Sequence, residues 1–382
     1  MINFQKAATA FLSIVAIGVI GTIVWVYQAK WKAPLGPALQ IPILTPYKLP
    51  TTWTPNPNEA SSLLSTPQPD SNAQTSLPVD AVGLCEMPAV TTILSIGSDT
   101  RGDQYIYGLA DVIRLIRIDS VTPKVTVLEF PRDLWVEIPD IADNLYGQDH
   151  EKLNQAYLYG NQGFGYTNDP AQGPGLLART LALNFGINIG NYAAVNMRTF
   201  VKIVDAVGGI DVTLPETIDG RTTDDTNTRL LFLKGENHLN GTRALTLART
   251  RIDGVFQRAN HQDLVLCALR KKLTSPKVVT SIPDLLKAFQ GAIQTDLSPQ
   301  QLSQLACIGT KLKPENIIFA SFPESLFTQD RIYDPVFKKD VFFWNTDYDQ
   351  LRDYVNKFNT GEWPIKTTTV QNNNKGESLN CQ

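Results

Sequence analysis

The chain has 382 residues, and 34 Lys+Arg against 37 Asp+Glu leave a formal net charge of −3. Hydrophobic residues at 43% and charged residues at 19% describe a folded chain rather than a disordered one. The acidic balance argues against a non-specific nucleic-acid binder, and 25 Gly and 24 Pro are too few for a collagen-like repeat. Four cysteines without a C-x-x-C pair exclude a disulfide-dense scaffold and that form of structural zinc site.

Residues 7–27 (AATAFLSIVAIGVIGTIVWVY) carry no charge. A helix of that length, at about 1.5 Å per residue, spans roughly 30 Å, the hydrocarbon thickness of a bilayer. The run is too long for a cleaved signal peptide and no A-x-A site follows it, while Trp25 and Tyr27 suit the headgroup interface. An uncleaved transmembrane helix is expected, preceded by a short segment over residues 1–6. Lys6 on one side and Lys30 and Lys32 on the other leave the positive-inside count nearly even.

Residues 28–88 read as a linker. Eleven of the 24 prolines lie between Pro34 and Pro88, around a Ser/Thr/Asn/Gln-rich middle that cannot bury enough apolar surface to offset its ordering entropy. Residues 89–365 read as one folded domain, and residues 366–382 as a polar tail.

Within the domain, β-branched runs predict strands over 91–97, 111–118 and 124–130. Helical patterns follow over 152–159, 175–184 and 198–206, then strands over 192–196 and 209–214, with Gly208-Gly209 as the turn. Helices are expected near 240–248, 256–273, 282–292 and 298–312, a strand over 316–321 and a helix over 347–357. Strands alternating with helices predict an α/β sandwich around a mostly buried sheet.

Four places concentrate polar chemistry. The loop Gly97-Ser98-Asp99-Thr100-Arg101 follows the first strand, where ligands bind open α/β sheets, although Asp99 capping its own turn is the plainer reading. Asp111 opens the second strand, and Pro131-Arg132-Asp133 closes the third. A basic run holds Arg243, Arg249, Arg251 and Arg258, with His261 and Gln262 one turn on and Asp253 the nearby acid. Carboxylates suit a hard cation such as Mg²⁺, and arginines suit phosphate oxygens. A solvated face is the alternative for the basic run.

These motifs, in this order, resemble the LytR–CpsA–Psr (LCP) family: GSDTR, the AD heading a strand, FPRDLWVEIP, KLNQAYLYG, VDAVGGIDV, LNGTRALTLARTR and QRANHQ. The resemblance runs from about residue 91 to 273, and a membrane anchor followed by a stalk is the usual layout of that family. It implies a central mixed sheet flanked by helices and enclosing an apolar pocket for a lipid. It also implies a glycopolymer phosphotransferase acting outside the cell membrane with Mg²⁺. Such an enzyme moves a glycan from a polyprenyl-pyrophosphate carrier to a cell-wall acceptor, peptidoglycan. The N-terminus is then cytoplasmic and the domain extracytoplasmic.

Carried over by motif, Asp99 and Asp111 match the family's acidic pair at the metal and pyrophosphate. Arg132 matches a site arginine, Arg249 and Arg251 the R-x-R pair on the phosphates, and Arg258 and Gln262 the downstream R…Q. Three departures stand out. Leu109 and His261 occupy positions where the family commonly has arginine, and Val255 stands where an acid is common. Arg101 is the expected compensation for Leu109. The alternative is a catalytically weak protein that binds polyprenyl-pyrophosphate lipids. Apolar residues 176–185 and 201–207 fit either a pocket lining or ordinary core.

On an extracytoplasmic topology the four cysteines are expected to be oxidised. Of three possible pairings, Cys267–Cys307 joins two late helices, and Cys85–Cys381 ties the tail to the start of the domain. This is the expected set.

Overall fold

The computed structural model describes residues 28–41, 83–100, 102, 104–221, 228–251, 255–275, 278, 289, 291–364 and 379–381. The expected membrane helix, Arg101 and most of residues 282–292 lie outside the described residues. Among the described residues, no helix is long and apolar enough to cross a membrane.

The β-branched runs form the middle of the molecule. β1 (Val90–Ser98) pairs antiparallel with β2 (Ala110–Asp119), which pairs antiparallel with β3 (Lys124–Glu129). A short pair, β4 (Trp135–Glu137) and β5 (His150–Lys152), leads into α1 (Leu153–Gly160) and α2 (Gln172–Phe185). β6 (Asn191–Asn196) then lies parallel to β1. α3 (Met197–Ala206) starts at its end, capped by Asn196, whose side chain accepts the Thr199 N–H at 2.7 Å. Gly208 and Gly209, with φ of 78° and 80°, turn the chain into β7 (Ile210–Leu214).

Two short strands, β8 (Ile218–Asp219) and β9 (Leu231–Phe232), pair with each other, and β10 (Gly235–Leu239) pairs with β7. α4 (Gly241–Arg249) and α5 (Val255–Leu273) follow, then β11 (Gln294–Thr295) against β6. α6 (Pro299–Lys311) opens on a capping box between Ser298 and Gln301 and leads to β12 (Ile317–Ser321), parallel to β3. A hairpin of β13 (Thr328–Asp334) and β14 (Lys339–Asn345), then α7 (Tyr348–Thr360) and β15 (Leu379–Asn380), complete the order. The main sheet is mixed and seven-stranded, in the order β11-β6-β1-β2-β3-β12-β15. It is flanked by helices, the α/β class expected.

Because side chains alternate across a strand, the sheet serves two cores. Leu94, Ile96, Ile113 and Leu115 pack with Leu153, Leu177 and Phe185 of α1 and α2. Residues 176–185 are thus closed core. Ile93, Ile118, Val127 and Phe319 point the other way, toward Ile308 of α6. A third cluster, with Val204, Ile210, Leu239, Leu247 and Val265, ties α3, α4 and α5 to the β7–β10 pair.

The cysteine pairing differs from the expected one. Cys85 bonds Cys307 and Cys267 bonds Cys381, with Cα separations of 6.1 and 5.3 Å. α6 packs on the turn Leu84–Glu86, which puts Cys85 beside Cys307, while β15 carries Cys381 to α5. Two features that the sequence presents as appendages are therefore attached. Leu379 and Asn380 of the polar tail pair with Phe319 and Ile318, covering an open sheet edge. The start of the linker is seated too: Leu35 N–H donates to Leu297 O at 3.2 Å, Tyr192 O–H donates to Pro37 O at 3.1 Å, and Leu39 and Ile41 pack on the main core.

The β13–β14 hairpin is held partly by two buried acids. Asp334 accepts the N–H groups of Val336 and Phe337 through Oδ1, while its buried Oδ2 meets no donor. Burial and then Asp334 push the neighbouring Glu151 carboxyl up to about 8. A proton on Glu151 supplies the missing donor.

Candidate active site

On the face of β1 turned away from α1 and α2, Ser95 and Gly97 are small, and space opens above them. Ser95 lies opposite Arg114, and Gly97 lies between Val112 and Val195. A Cβ at Gly97 would sit 2.9 Å from Val112 Cβ, so the neighbouring strand already fills that side. The resulting cavity has a volume of about 1010 Å³. Its walls are Phe200 and Ile203 of α3, Leu245 of α4, and Val265, Leu266 and Leu269 of α5. Val265 belongs to the third core cluster, and Phe200 and Leu269 pack against it, so the same side chains anchor these helices and wall the cavity.

Charge collects at one end of this apolar chamber. Asp111, Arg249, Arg251, Arg258 and Gln262 all line it. Arg132, just after β3, pairs with Asp111 and, through Nε at 3.2 Å, with Asp133, whose other oxygen takes Lys152 Nζ at 3.1 Å. Burial opposes the charge of Arg132, but the two carboxylates raise its pKa. Arg258 is 4% exposed, donates Nη2 to Asp111 O at 3.2 Å, and keeps a buried Nε with no acceptor. Burial, then Arg132 and Arg251, lower its pKa. Arg251 is lowered in the same direction, by lost hydration and then by Arg132. Arg249 and Arg251 are exposed and make no ion pair among the described residues. A cluster of guanidinium groups in which Arg249 and Arg251 make no ion pair among the described residues, and in which lost hydration and neighbouring arginines lower Arg251 and Arg258, favours a multiply charged anion between them.

The remaining expected residues fall into three groups. Asp99 follows β1. Its Oδ1 accepts the Leu109 N–H at 2.7 Å, and its own N–H donates to Leu109 O at 3.0 Å. It lies at the same end of the β1–β2 pair as Asp111 but is not part of the cavity wall. Gln262 lines the cavity with both ends engaged: Oε1 accepts Arg114 Nη2 at 3.2 Å, and Nε2 donates to Ala248 O at 3.2 Å. Arg101 is outside the described residues. At the departures, Leu109 offers only its backbone to Asp99, and the His261 ring lies 3.4 Å from Thr250 O.

Arg114 was not singled out by the motifs. Only 2% exposed on the cavity floor, it pairs with Glu129 at 2.5 Å and with Asp263, and reaches Gln262 and Ala259 O at 3.4 Å. Burial works against its charge, and Glu129 and Asp263 raise its pKa. Burial raises the pKa of Asp263, and Arg114 opposes that rise. This one side chain joins β2, β3 and α5, and through Gln262 it holds the end of α4 that carries Arg249. The signal available in sequence was the charge inside VIRLI, a run with no polar alternation that would let it face water.

A hard cation has a partial donor set here. Among the described residues no group of three His, Cys, Asp or Glu forms a cage. Asp99 and Asp111 each hold one oxygen in a protein contact, to Leu109 and Arg132. Two acids at one end of a hairpin suit a cation that shares its shell with phosphate oxygens, as Mg²⁺ does, better than a closed site.

Fold and site define an α/β domain whose sheet carries an apolar chamber with an arginine-lined mouth. The chain belongs to the LytR_cpsA_psr family, whose model matches residues 65–351. It is 32% identical over 216 residues to the polyisoprenyl-teichoic acid–peptidoglycan teichoic acid transferase TagU of Bacillus cereus (strain AH820), covering 55% of this chain and 62% of the relative. It is 31% identical over 217 residues to the protein of the same name from Oceanobacillus iheyensis, covering 56% and 61%. The matched part therefore spans a little under two thirds of those relatives. The fold is similar to that of B. subtilis TagV, with a TM-score of 0.53 at 22% identity over 70% of this chain and 96% of that one. It is also similar to protein gbs0355 from Streptococcus agalactiae, with a TM-score of 0.56 at 22% identity over 75% and 92%.

Proposed function

We propose that the protein is a membrane-anchored, extracytoplasmic phosphotransferase that moves a glycopolymer from a polyprenyl-pyrophosphate carrier to peptidoglycan. The observation that carries this reading is the junction of two chemistries. Exposed Arg249 and Arg251, buried Arg258 and the Arg132–Asp111 pair meet at the mouth of an apolar chamber of about 1010 Å³. A diphosphate with a long hydrocarbon tail matches both halves at once. The uncharged run over residues 7–27 supplies the anchor and sets the domain where such a lipid is found.

In the proposed reaction an acceptor hydroxyl attacks the phosphorus that bears the glycan. The bond from that phosphorus to the bridging oxygen breaks, polyprenyl monophosphate leaves, and the hydroxyl proton passes to a carboxylate, Asp99 or Asp111. Arg132, Arg249, Arg251 and Arg258 neutralise the phosphate oxygens as charge moves onto the leaving group. Mg²⁺, held by Asp99 and Asp111 together with phosphate oxygens, would add charge neutralisation. Gln262 contributes by fixing α4 against α5.

Leu109 favours a second reading, a protein that holds the lipid without turnover, because it places an apolar side chain two residues before Asp111. One experiment decides. The full chain in detergent micelles is given a polyprenyl-pyrophosphate-linked glycan, Mg²⁺ and peptidoglycan, and bound lipid and released polyprenyl monophosphate are measured. Release that depends on the acceptor supports the transferase, tight binding without release supports the holding protein, and no binding overturns both.

A further inference from the structure

An exposed aromatic cluster sits on the loop that carries Asp99. Tyr107 is 58% exposed, and Ile106 and Phe164 are 36% exposed. These side chains are locked together. The Tyr107 and Phe164 rings meet edge to face at 5.7 Å, and Phe164 meets Tyr159 at 5.5 Å and Tyr166 at 5.2 Å. Gly163 N–H donates to Ile106 O at 3.1 Å. A Cβ on Gly163 would lie 2.4 Å from the Tyr107 ring, so the ring rests on bare backbone.

The cluster is wired to the candidate acid. Thr100 Oγ1 donates to Tyr107 O at 2.5 Å, and two residues further on Leu109 N–H donates to Asp99. Hydrogen bonds therefore tie Asp99 to the segment that bears Tyr107, and neither Asp99 nor the two rings line the chamber.

We propose that Tyr107 and Phe164 form a sugar subsite that receives a pyranose ring of the acceptor glycan. This rests on the transferase reading. That reaction needs a second substrate that presents a sugar hydroxyl near Asp99 while the chamber and the arginines hold the lipid diphosphate. An aromatic ring seated on Gly163 and Phe164 offers what the C–H face of a sugar packs against, dispersion contact and lost apolar hydration, and its contacts reduce the ordering that binding must cost. The hydroxyl of exposed Tyr107 adds a donor and an acceptor for sugar hydroxyls, whereas buried Tyr159 donates its own to Gln155. The rings themselves bring no cation, which suits a neutral sugar rather than an anionic headgroup.

The test uses the full chain in detergent micelles and two probes, a β-1,4-linked N-acetylglucosamine tetramer and farnesyl diphosphate with Mg²⁺. The wild type binds the tetramer. Tyr107→Ala weakens that binding about 10-fold, the scale of one aromatic contact of ~1.4 kcal/mol. Tyr107→Trp keeps the binding, and all variants bind farnesyl diphosphate as the wild type does. A wild type that ignores the tetramer, or a Tyr107→Ala variant that binds it unchanged, overturns the proposal. Tetramer binding without any affinity for farnesyl diphosphate sinks the transferase reading and leaves the sugar subsite standing.

Discussion

The two faces of the central sheet handle burial in opposite ways. Toward α1 and α2, Leu94, Leu115 and Leu177 are fully buried and leave no chamber. On the other face, the neighbours of those residues are Ser95, Gly97 and Arg114, two of them small and one charged. The closed face is filled by buried apolar side chains. The open face is packed at one end, where Ile93, Ile118 and Val127 meet Ile308, and left open at the other, over Ser95, Gly97 and one buried guanidinium. A sheet can leave one side incompletely filled when the other side and a third cluster supply the apolar burial.

That contrast can be broken in order of size. Arg114→Met should have the largest effect, because it takes the guanidinium away from buried Asp263 and partly buried Glu129. The expected loss is about 3–5 kcal/mol of stability, read by urea denaturation. A loss under about 1 kcal/mol would mean that the floor is not organised by this residue. Arg251→Ala should leave the urea midpoint nearly unchanged and reduce transfer by about 10²–10³-fold, equivalent to roughly 3–4 kcal/mol of transition-state stabilisation. If stability falls instead, the open face is ordinary structure.

An intermediate effect is expected from pH. A carboxyl whose folded pKa lies above its unfolded value binds more protons folded than unfolded between the two. For Glu151, raised from 4.5 to about 8, stability should therefore fall as pH rises across that interval and level off above it. Melting temperatures between pH 5 and 8.5 should show this slope in the wild type and a flatter one in Glu151→Gln. Ser298→Ala should have the smallest effect, costing about 1 kcal/mol through loss of the α6 cap, with no change in ligand binding.

Legibility in the sequence followed the same division. The closed face was readable because its residues repeat at strand and helix periods, and β1, β2, β3, α2 and α3 fall where expected within a few residues. The hairpin β13–β14 was not, because Thr328–Asp334 is polar and largely exposed, so no alternation marks it. Among site residues, Asp111, Arg132, Arg249, Arg251, Arg258 and Gln262 converge although the basic run alone also fitted a solvated surface. Their gathering depends on α4 and α5 folding back over β2, a long-range event that no local window encodes. The role of Gln262 in holding Arg114, and Arg114 itself, depend on pairs such as Arg114 with Asp263, separated by 149 positions. The cysteine partners failed for the same reason. Sequence position favoured joining neighbouring helices, whereas sheet order and the seat of α6 decide which sulfurs meet.

The two bridges interlock along the chain, since 85 to 307 and 267 to 381 overlap. As the polypeptide emerges from its N-terminus, Cys85 first encounters Cys267, a partner it must not keep, and neither correct sulfur exists until a further stretch has been made. An oxidant that acts early therefore traps the wrong crosslink, and maturation requires thiol exchange to undo it. Producing this protein in quantity is accordingly a matter of isomerase supply as much as of oxidising surroundings.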